Sequence, residues 1–263
     1  MKPLHQVSVR VPASTSNLGP AFDCLGLALG LYNNLTLELH EGSGDPVFEI
    51  QGEGEKTLPR TRDNLIARAA NAVLAGRAQG RLVFKCVNRI PLARGLGSSA
   101  AAAVAGTFAA NRLLGKPLLS DEQLLEYATV LEGHPDNVAP AVLGGLVVSA
   151  KRQKKTLVYP LKAHKGLRAV VCIPDFELMT ARSRAALPET YLREDVVHNA
   201  SRALLLSSAL ERGLWDRLPV AMEDKIHQPY RASLVKGFPA VLKAAQEAGE
   251  VLVRLLAVDD AEV

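Results

Sequence analysis

The sequence predicts an α+β fold, and three observations carry the prediction: short runs of alternating apolar and polar residues in the first ninety positions, a glycine-rich turn opening an alanine-rich helix near the middle, and helical spacing through the last third. Of the 263 residues, 48% are hydrophobic and 22% charged. Such a chain buries a substantial core and is too long for a minimal module, so one large or two modest domains are expected.

Taken in order, Val7, Val9 and Val11 alternate with Ser8 and Arg10, the period of a half-buried strand, and Pro12 is expected to end it. Residues 33–39 and 47–51 alternate in the same way around a turn rich in Gly42, Ser43, Gly44 and Asp45, which predicts an antiparallel pair. Asp63 is placed to cap a helix over residues 64–75, and residues 82–90 read as a further strand. After Pro91 a glycine-rich turn leads into residues 99–114, rich in alanine and nearly uncharged, as expected of a buried helix that Gly115, Lys116 and Pro117 stop. Ser120 with Gln123 resembles a capping box opening a helix to about Glu132. Residues 145–149 and 156–159 predict a hairpin, and residues 168–173 a strong strand. Helices follow at 196–212, 215–223 and 238–248. Pro160 and Gly166 bracket a polar turn, the one plausible boundary, dividing a domain over residues 1–160 from one over residues 161–263.

Charge and cysteine usage exclude several functions. The net charge is +4 but scattered, and its densest cluster, Lys151, Arg152, Lys154 and Lys155, lacks the aromatic interleaving of a nucleic-acid stripe and reads as a solvated turn. Cys24, Cys86 and Cys172 are far apart and without CxxC spacing, which argues for a reducing compartment and against a disulfide frame or a zinc site. The first 14 residues lack the apolar run of a signal peptide, and the longest apolar stretch, residues 138–150, is interrupted by Pro140, Gly144 and Gly145 and is too short for a bilayer. A cytoplasmic protein with no nucleic-acid or membrane partner is expected.

The segment that points to a ligand is Arg94-Gly95-Leu96-Gly97-Ser98-Ser99. A strand, a glycine-rich turn and a helix leave unpaired backbone N–H groups facing one point, where the helix dipole favours an anion. Gly95 and Gly97 let the backbone approach phosphate oxygens, and Ser98 and Ser99 supply hydroxyls for a phosphate or a magnesium ion. The loop is neither a Walker A sequence nor a dinucleotide fingerprint. Taken alone, it is equally compatible with a turn that only connects strand to helix.

Its surroundings decide. Pro91-Leu92-Ala93-Arg94-Gly95-Leu96-Gly97-Ser98-Ser99-Ala100, followed by the alanine-rich helix, resembles the ATP-binding signature of the GHMP small-molecule kinases. Within that superfamily, Val11-Pro12-Ala13-Ser14-Thr15-Ser16-Asn17-Leu18-Gly19-Pro20-Ala21-Phe22-Asp23-Cys24-Leu25-Gly26 looks like the amino-terminal segment of homoserine kinases, and Glu132-Gly133-His134-Pro135-Asp136-Asn137-Val138-Ala139-Pro140 looks like their central motif. The resemblance extends over residues 7–248. It implies a ribosomal-protein-S5-like nucleotide-binding domain, a ferredoxin-like substrate domain, use of ATP and Mg²⁺, and phosphorylation of the L-homoserine hydroxyl in threonine biosynthesis, with a homodimer as the possible assembly. Another small alcohol as substrate, or a catalytically silent nucleotide-binding homologue, are the alternatives.

The resemblance also assigns residues. Asn17, Asp23, Asp136 and Asn137 line the amino-acid pocket, the two aspartates facing the ammonium. Thr180-Ala181-Arg182-Ser183-Arg184-Ala185-Ala186-Leu187-Pro188 is similar to the substrate loop, in which Arg184 matches the carboxylate-binding arginine better than Arg182, and Arg231, after Gln228-Pro229-Tyr230, resembles the second. Asn17, Asp23, Asn137 and Arg184 are thereby the catalytic candidates. Glu132 and Ser98 match the magnesium ligands, residues 91–100 the phosphate cradle, and Asn64 a purine contact. Homoserine is a zwitterion with a hydroxyl, so a site built of carboxylates, arginines and amides has the chemistry it needs. Asp23 is assigned to substrate binding rather than to base catalysis, and His134, between Gly133 and Pro135, reads as structural.

The chain departs from the family near its end. The third glycine-rich segment, of the kind Leu-Ser-Gly-Ala-Gly-Pro-Ser/Thr, is absent, and after Gly249 come an apolar run over residues 250–258 and an acidic tail over residues 259–263. A second domain truncated or altered after residue 249 is expected, with an unpaired sheet edge and a less supported phosphate site.

Overall fold

The computed structural model describes residues 2–153, 155–173 and 180–247. Its first part is one six-stranded sheet with helices packed on it. Strands β1 (His5–Leu18) and β2 (Ala21–His40) form a long hairpin, followed by β3 (Val47–Gly52), α1 (Leu65–Leu74), β4 (Arg81–Asn88), α2 (Ser98–Leu113), α3 (Asp121–Glu132), α4 (Pro135–Leu143), β5 (Leu146–Arg152) and β6 (Lys155–Leu161). The sheet runs β3-β4-β2-β5-β6, with β1 paired to β2. The α+β class, the hairpin of β5 and β6, the buried α2 and the capping box of Ser120 with Gln123 agree with the sequence.

Four sequence expectations about the chain before α5 (Thr180–Ala185) are corrected. Pro12 does not end β1: the register against β2 shifts between Pro12 and Ala13, and at that irregularity the missing N–H breaks no ladder. β3 does not pair with β2. Residues 34–39 of β2 already carry β1 on one edge and β4 on the other, so β3 joins β4 in parallel, reached through the α1 crossover. The cap of α1 is Asn64, whose side chain accepts from the Ile66 amide at 3.0 Å, and not Asp63, which turns to Thr61. Residues 168–173 form no strand. Val170, Val171 and Ile173 are exposed, and apolar alternation makes a strand only where a neighbouring strand completes its hydrogen bonds.

The main core lies between the sheet and α1 to α4. Helix α2 is buried almost all round, which explains its alanine content: α1 approaches so closely that a Cβ on Gly106 would stand 2.5 Å from the Ile66 carbonyl oxygen. The chain continues with α5 (Thr180–Ala185), α6 (Arg193–Arg212), a 3₁₀ turn at Trp215–Arg217, α7 (Leu218–Ala221), α8 (Gln228–Arg231) and α9 (Phe238–Glu247). The predicted helix over 215–223 is thus divided into the 3₁₀ turn and α7. A second core joins these helices to the β1–β2 turn, with Leu206, Leu210 and Met222 packed against Leu18, Ala21 and Leu25. Among the described residues everything after β6 is helix or loop, and the segment after residue 249, where an altered or truncated domain is expected, lies outside them.

Candidate active site

The glycine-rich loop leads from β4 into α2. Ala93, Gly95 and Gly97 have φ of 51°, 70° and 64°, and left-handed residues spaced by two turn successive N–H groups toward one side. Gly97 occupies the N-cap of α2 with no side-chain cap, which leaves the first-turn amides to a ligand. The loop is pinned from outside by β1: the Ser14 amide donates to the Leu96 carbonyl at 3.1 Å. A Cβ on Gly97 would stand 2.1 Å from Ser14 Oγ and 3.2 Å from Asn137 Oδ1, so the glycine is required by space as well as by φ.

Ser98 and Glu132 are both buried at the foot of this loop. Ser99 Oγ donates to Glu132 Oε2 at 2.7 Å, a contact that sequence reading did not anticipate. Among the described residues no three His, Cys, Asp or Glu side chains gather as a metal cage. One carboxylate with two serine hydroxyls is an all-oxygen set, suited to a Mg²⁺ ion that takes its remaining ligands from phosphate and water.

Next to the loop, the amides and one carboxylate of the two long motifs meet. Asn17 and Asp23 both adopt left-handed φ, 59° and 56°, which Asn and Asp tolerate better than most residues, and Asn17 Oδ1 accepts from the Asp23 amide at 2.9 Å. Asn17 Nδ2 donates to Ser16 Oγ at 3.2 Å and Asn137 Nδ2 to the same oxygen at 3.1 Å, while Ser14 Oγ donates to Asn137 Oδ1 at 3.1 Å. Ser14 and Ser16 therefore hold the predicted asparagines in place. Their signal in the sequence was their position inside the first motif.

Asp136 is fully buried, and His134 Nδ1 donates to its Oδ1 at 2.5 Å. Burial alone pushes this carboxyl up, but hydrogen bonds from His134 and Ser16 and the charge of Arg184 outweigh it and hold the group below its ordinary range. A Cβ on Gly26 would stand 1.9 Å from the Asp136 carbonyl oxygen, so that glycine lets α4 bring Asp136 onto β2.

The two predicted arginines arrive from the C-terminal helices. Arg184 of α5 makes a forked pair with Asp23, Nη1 to Oδ2 at 2.9 Å and Nη2 to Oδ1 at 2.8 Å. The sequence assigned Asp23 to a ligand ammonium and Arg184 to a ligand carboxylate; here each holds the other. Arg231 of α8 is 1% exposed, donates from Nε to the Ser183 carbonyl at 3.3 Å, and among the described residues has no hydrogen-bond partner on Nη1. Phe22, His227, Asp224 and Asn199 also belong to this region and were missed. Phe22 is inside a recognised motif and His227 directly precedes the Gln228-Pro229-Tyr230-Arg231 pattern, but their contribution depends on contacts that spacing does not reveal.

A cleft adjoins the loop, lined by Leu58, Leu65, Leu92, Ala102 and Ala105 together with Ser98 and Ser99. Asn64 lines it, but its amide holds the walls: Oδ1 caps α1 and Nδ2 donates to the Pro59 carbonyl at 2.7 Å.

Comparison with known proteins places this geometry. A family described as GHMP kinases N terminal domain matches residues 64–145. The homoserine kinase of Moorella thermoacetica is 49% identical over 249 residues, which is 94% of this chain and 83% of that protein. The crystal structure of the homoserine kinase of Cytophaga hutchinsonii superimposes with a TM-score of 0.82 at 26% identity, covering 95% of this chain and 82% of the other. The L. major mevalonate kinase, solved with R-mevalonate, shares the fold at a TM-score of 0.67 and 15% identity, over 95% of this chain and 84% of that one.

Proposed function

The chain belongs to the homoserine kinases of the GHMP superfamily, and from that premise we propose that it transfers the γ-phosphoryl group of ATP to the side-chain hydroxyl of L-homoserine, giving O-phospho-L-homoserine for threonine biosynthesis. The observation that carries the substrate reading is the meeting of Asp23 and Asp136 with Arg184 and Arg231 beside a phosphate-type loop. Two carboxylates and two guanidiniums complement a zwitterion, which a mevalonate or sugar site does not need.

In this reading Asp23 and Asp136 take the ammonium, Arg184 and Arg231 the carboxylate, and Asn17 and Asn137 fix the hydroxyl between them. Binding exchanges the internal Asp23–Arg184 pair for two pairs with the substrate. Residues 91–100 hold the phosphates through backbone amides, and the apolar cleft beside Asn64 takes the purine. Glu132 and Ser98 would hold magnesium, which when bound neutralises charge on the phosphate oxygens. Positioning and charge neutralisation supply most of the rate, and no dedicated base is assigned: Asp23 is committed to charge pairing. We divide the work at about residue 160, with the nucleotide on the sheet domain and the substrate's carboxylate on the C-terminal helices. We assign the protein to the cytoplasm, with a small molecule as its partner; among the described residues no helix is long and apolar enough to cross a membrane.

A coupled ADP-release assay tests the reading. Homoserine-dependent ADP release is expected, and Asp23→Asn should lower it by about a hundredfold or more, the scale of losing a charge-assisted positioning contact. The pair is about one third exposed, so folding stability should change by no more than about 1 kcal/mol. Turnover of mevalonate or a sugar without homoserine turnover would refute the assignment.

A further inference from the structure

Phe22 is an apolar side chain among charged and polar ones, Arg184, Arg231 and His227, and the phosphoryl transfer proposed for the site does not use it. Its ring centroid lies 4.8 Å from the guanidinium carbon of Arg231 and 5.5 Å from that of Arg184. The same ring stacks on His227, with centroids 5.1 Å apart and planes 26° apart. One aromatic ring therefore meets both guanidiniums assigned to the substrate carboxylate.

The two guanidiniums need such a mediator. Burial first, and then the charge of Arg184, push Arg231 below its ordinary pKa, opposed by Asp23, Asp224 and Asp136. Asp23 balances Arg184 through the forked pair. Among the described residues, Arg231 has a main-chain carbonyl on Nε and nothing on Nη1. A buried guanidinium with so few acceptors is costly, and the negative face of an aromatic ring offsets part of that cost without occupying the N–H groups a carboxylate will use. His227 in turn fixes the ring: its Nε2 donates to the Gly19 carbonyl at 2.6 Å, and Asp224 Oδ2 accepts from its backbone amide at 3.0 Å.

We propose that Phe22 is a positioning residue for the carboxylate end of the substrate: its ring, held by His227, keeps Arg231 and Arg184 together as a preformed pair. The inference rests on the homoserine reading above. Preformation matters because every guanidinium rotamer that must be ordered on binding weakens affinity.

The test is steady-state kinetics of the full chain and of Phe22→Leu and Phe22→Tyr, varying homoserine and ATP separately. The acceptor 3-amino-1-propanol, which has the amine and hydroxyl of homoserine but no carboxylate, is run in parallel. Phe22→Leu keeps apolar bulk and loses the π face. It should raise KM for homoserine about tenfold, within what desolvated cation–π contacts permit, with kcat within roughly threefold and KM for ATP unchanged. Phe22→Tyr should recover most of the affinity, and the carboxylate-free acceptor should not distinguish Phe22→Leu from the parent. An unchanged KM for homoserine in Phe22→Leu overturns the proposal, as does a loss shared equally by ATP or by 3-amino-1-propanol. A parent chain that neither binds nor phosphorylates homoserine refutes the substrate reading itself and the role of Phe22 with it, an outcome read on the parent alone.

Discussion

At the scale of single residues, His227 shows how a buried group couples the site to pH. Burial lowers its pKa below the ordinary 6.5, with Arg231 acting in the same direction, against Asp224, the Gly19 carbonyl and Asp23. A lowered folded pKa means that its stabilising share is complete above about 6.5 and is lost as pH falls from there through the folded value, because the unfolded chain takes a proton that the folded chain refuses. Thermal or urea unfolding should therefore show stability falling below pH 6.5, with a share from this residue approaching roughly 1.4 kcal/mol per pH unit. His227→Gln should flatten that part of the profile. An identical slope in the variant would mean that His227 titrates alike in both states. The sequence named the neighbours of this residue but not its role, because a histidine's pKa follows from what buries it.

At the scale of elements, the packing of α1 on α2 is set by Gly106. Helix propensity by itself predicts that Gly106→Ala stabilises α2 by about 1 kcal/mol. The added Cβ would stand 2.5 Å from the Ile66 carbonyl oxygen and 2.7 Å from Ala69 Cβ, both on a helix that cannot yield locally. Overpacking of this kind costs about 1–3 kcal/mol and should win, seen as a lower urea midpoint with an unchanged m value. A raised midpoint would show that α1 moves aside. The elements themselves were legible where the local signal was complete: α3 from its capping box, the β5–β6 hairpin from two short runs around a turn. The partner of β3 was not, because β2 had no free edge left to offer it, a fact about the sheet rather than about residues 47–51.

At the scale of the whole molecule, the site exists because the C-terminal helices dock on the β1–β2 turn. Asn199 is central to that contact: Nδ2 donates to the Pro20 carbonyl at 3.2 Å and to Asp224 Oδ1 at 2.7 Å, and Oδ1 accepts from the Lys225 amide at 2.9 Å. It is buried, so Asn199→Ala leaves several groups unsatisfied and should cost about 1–3 kcal/mol. Because the docking carries Arg184 and Arg231 to Asp23, KM for homoserine should rise while KM for ATP, which the proposed function assigns to the sheet, stays near its original value. Parallel rises in both constants would contradict this division of labour.

The sequence by itself determined the α+β class, the phosphate loop, the two long motifs and through them the family, since each is a local pattern whose residues are adjacent in the chain. It also named the six residues that the proposed function assigns to the amino-acid pocket, and four of them, Asn17 and Asp23, Asp136 and Asn137, come from two continuous segments. Only the tertiary structure decided that Asp23 and Arg184, 161 residues apart, hold one another before any ligand does, that Ser14 both orients Asn137 and excludes a side chain at position 97, and that Phe22 and His227 stand behind the arginines. Those relations arise from packing between distant segments, and burial, which sets their energies, is a property of the assembled fold.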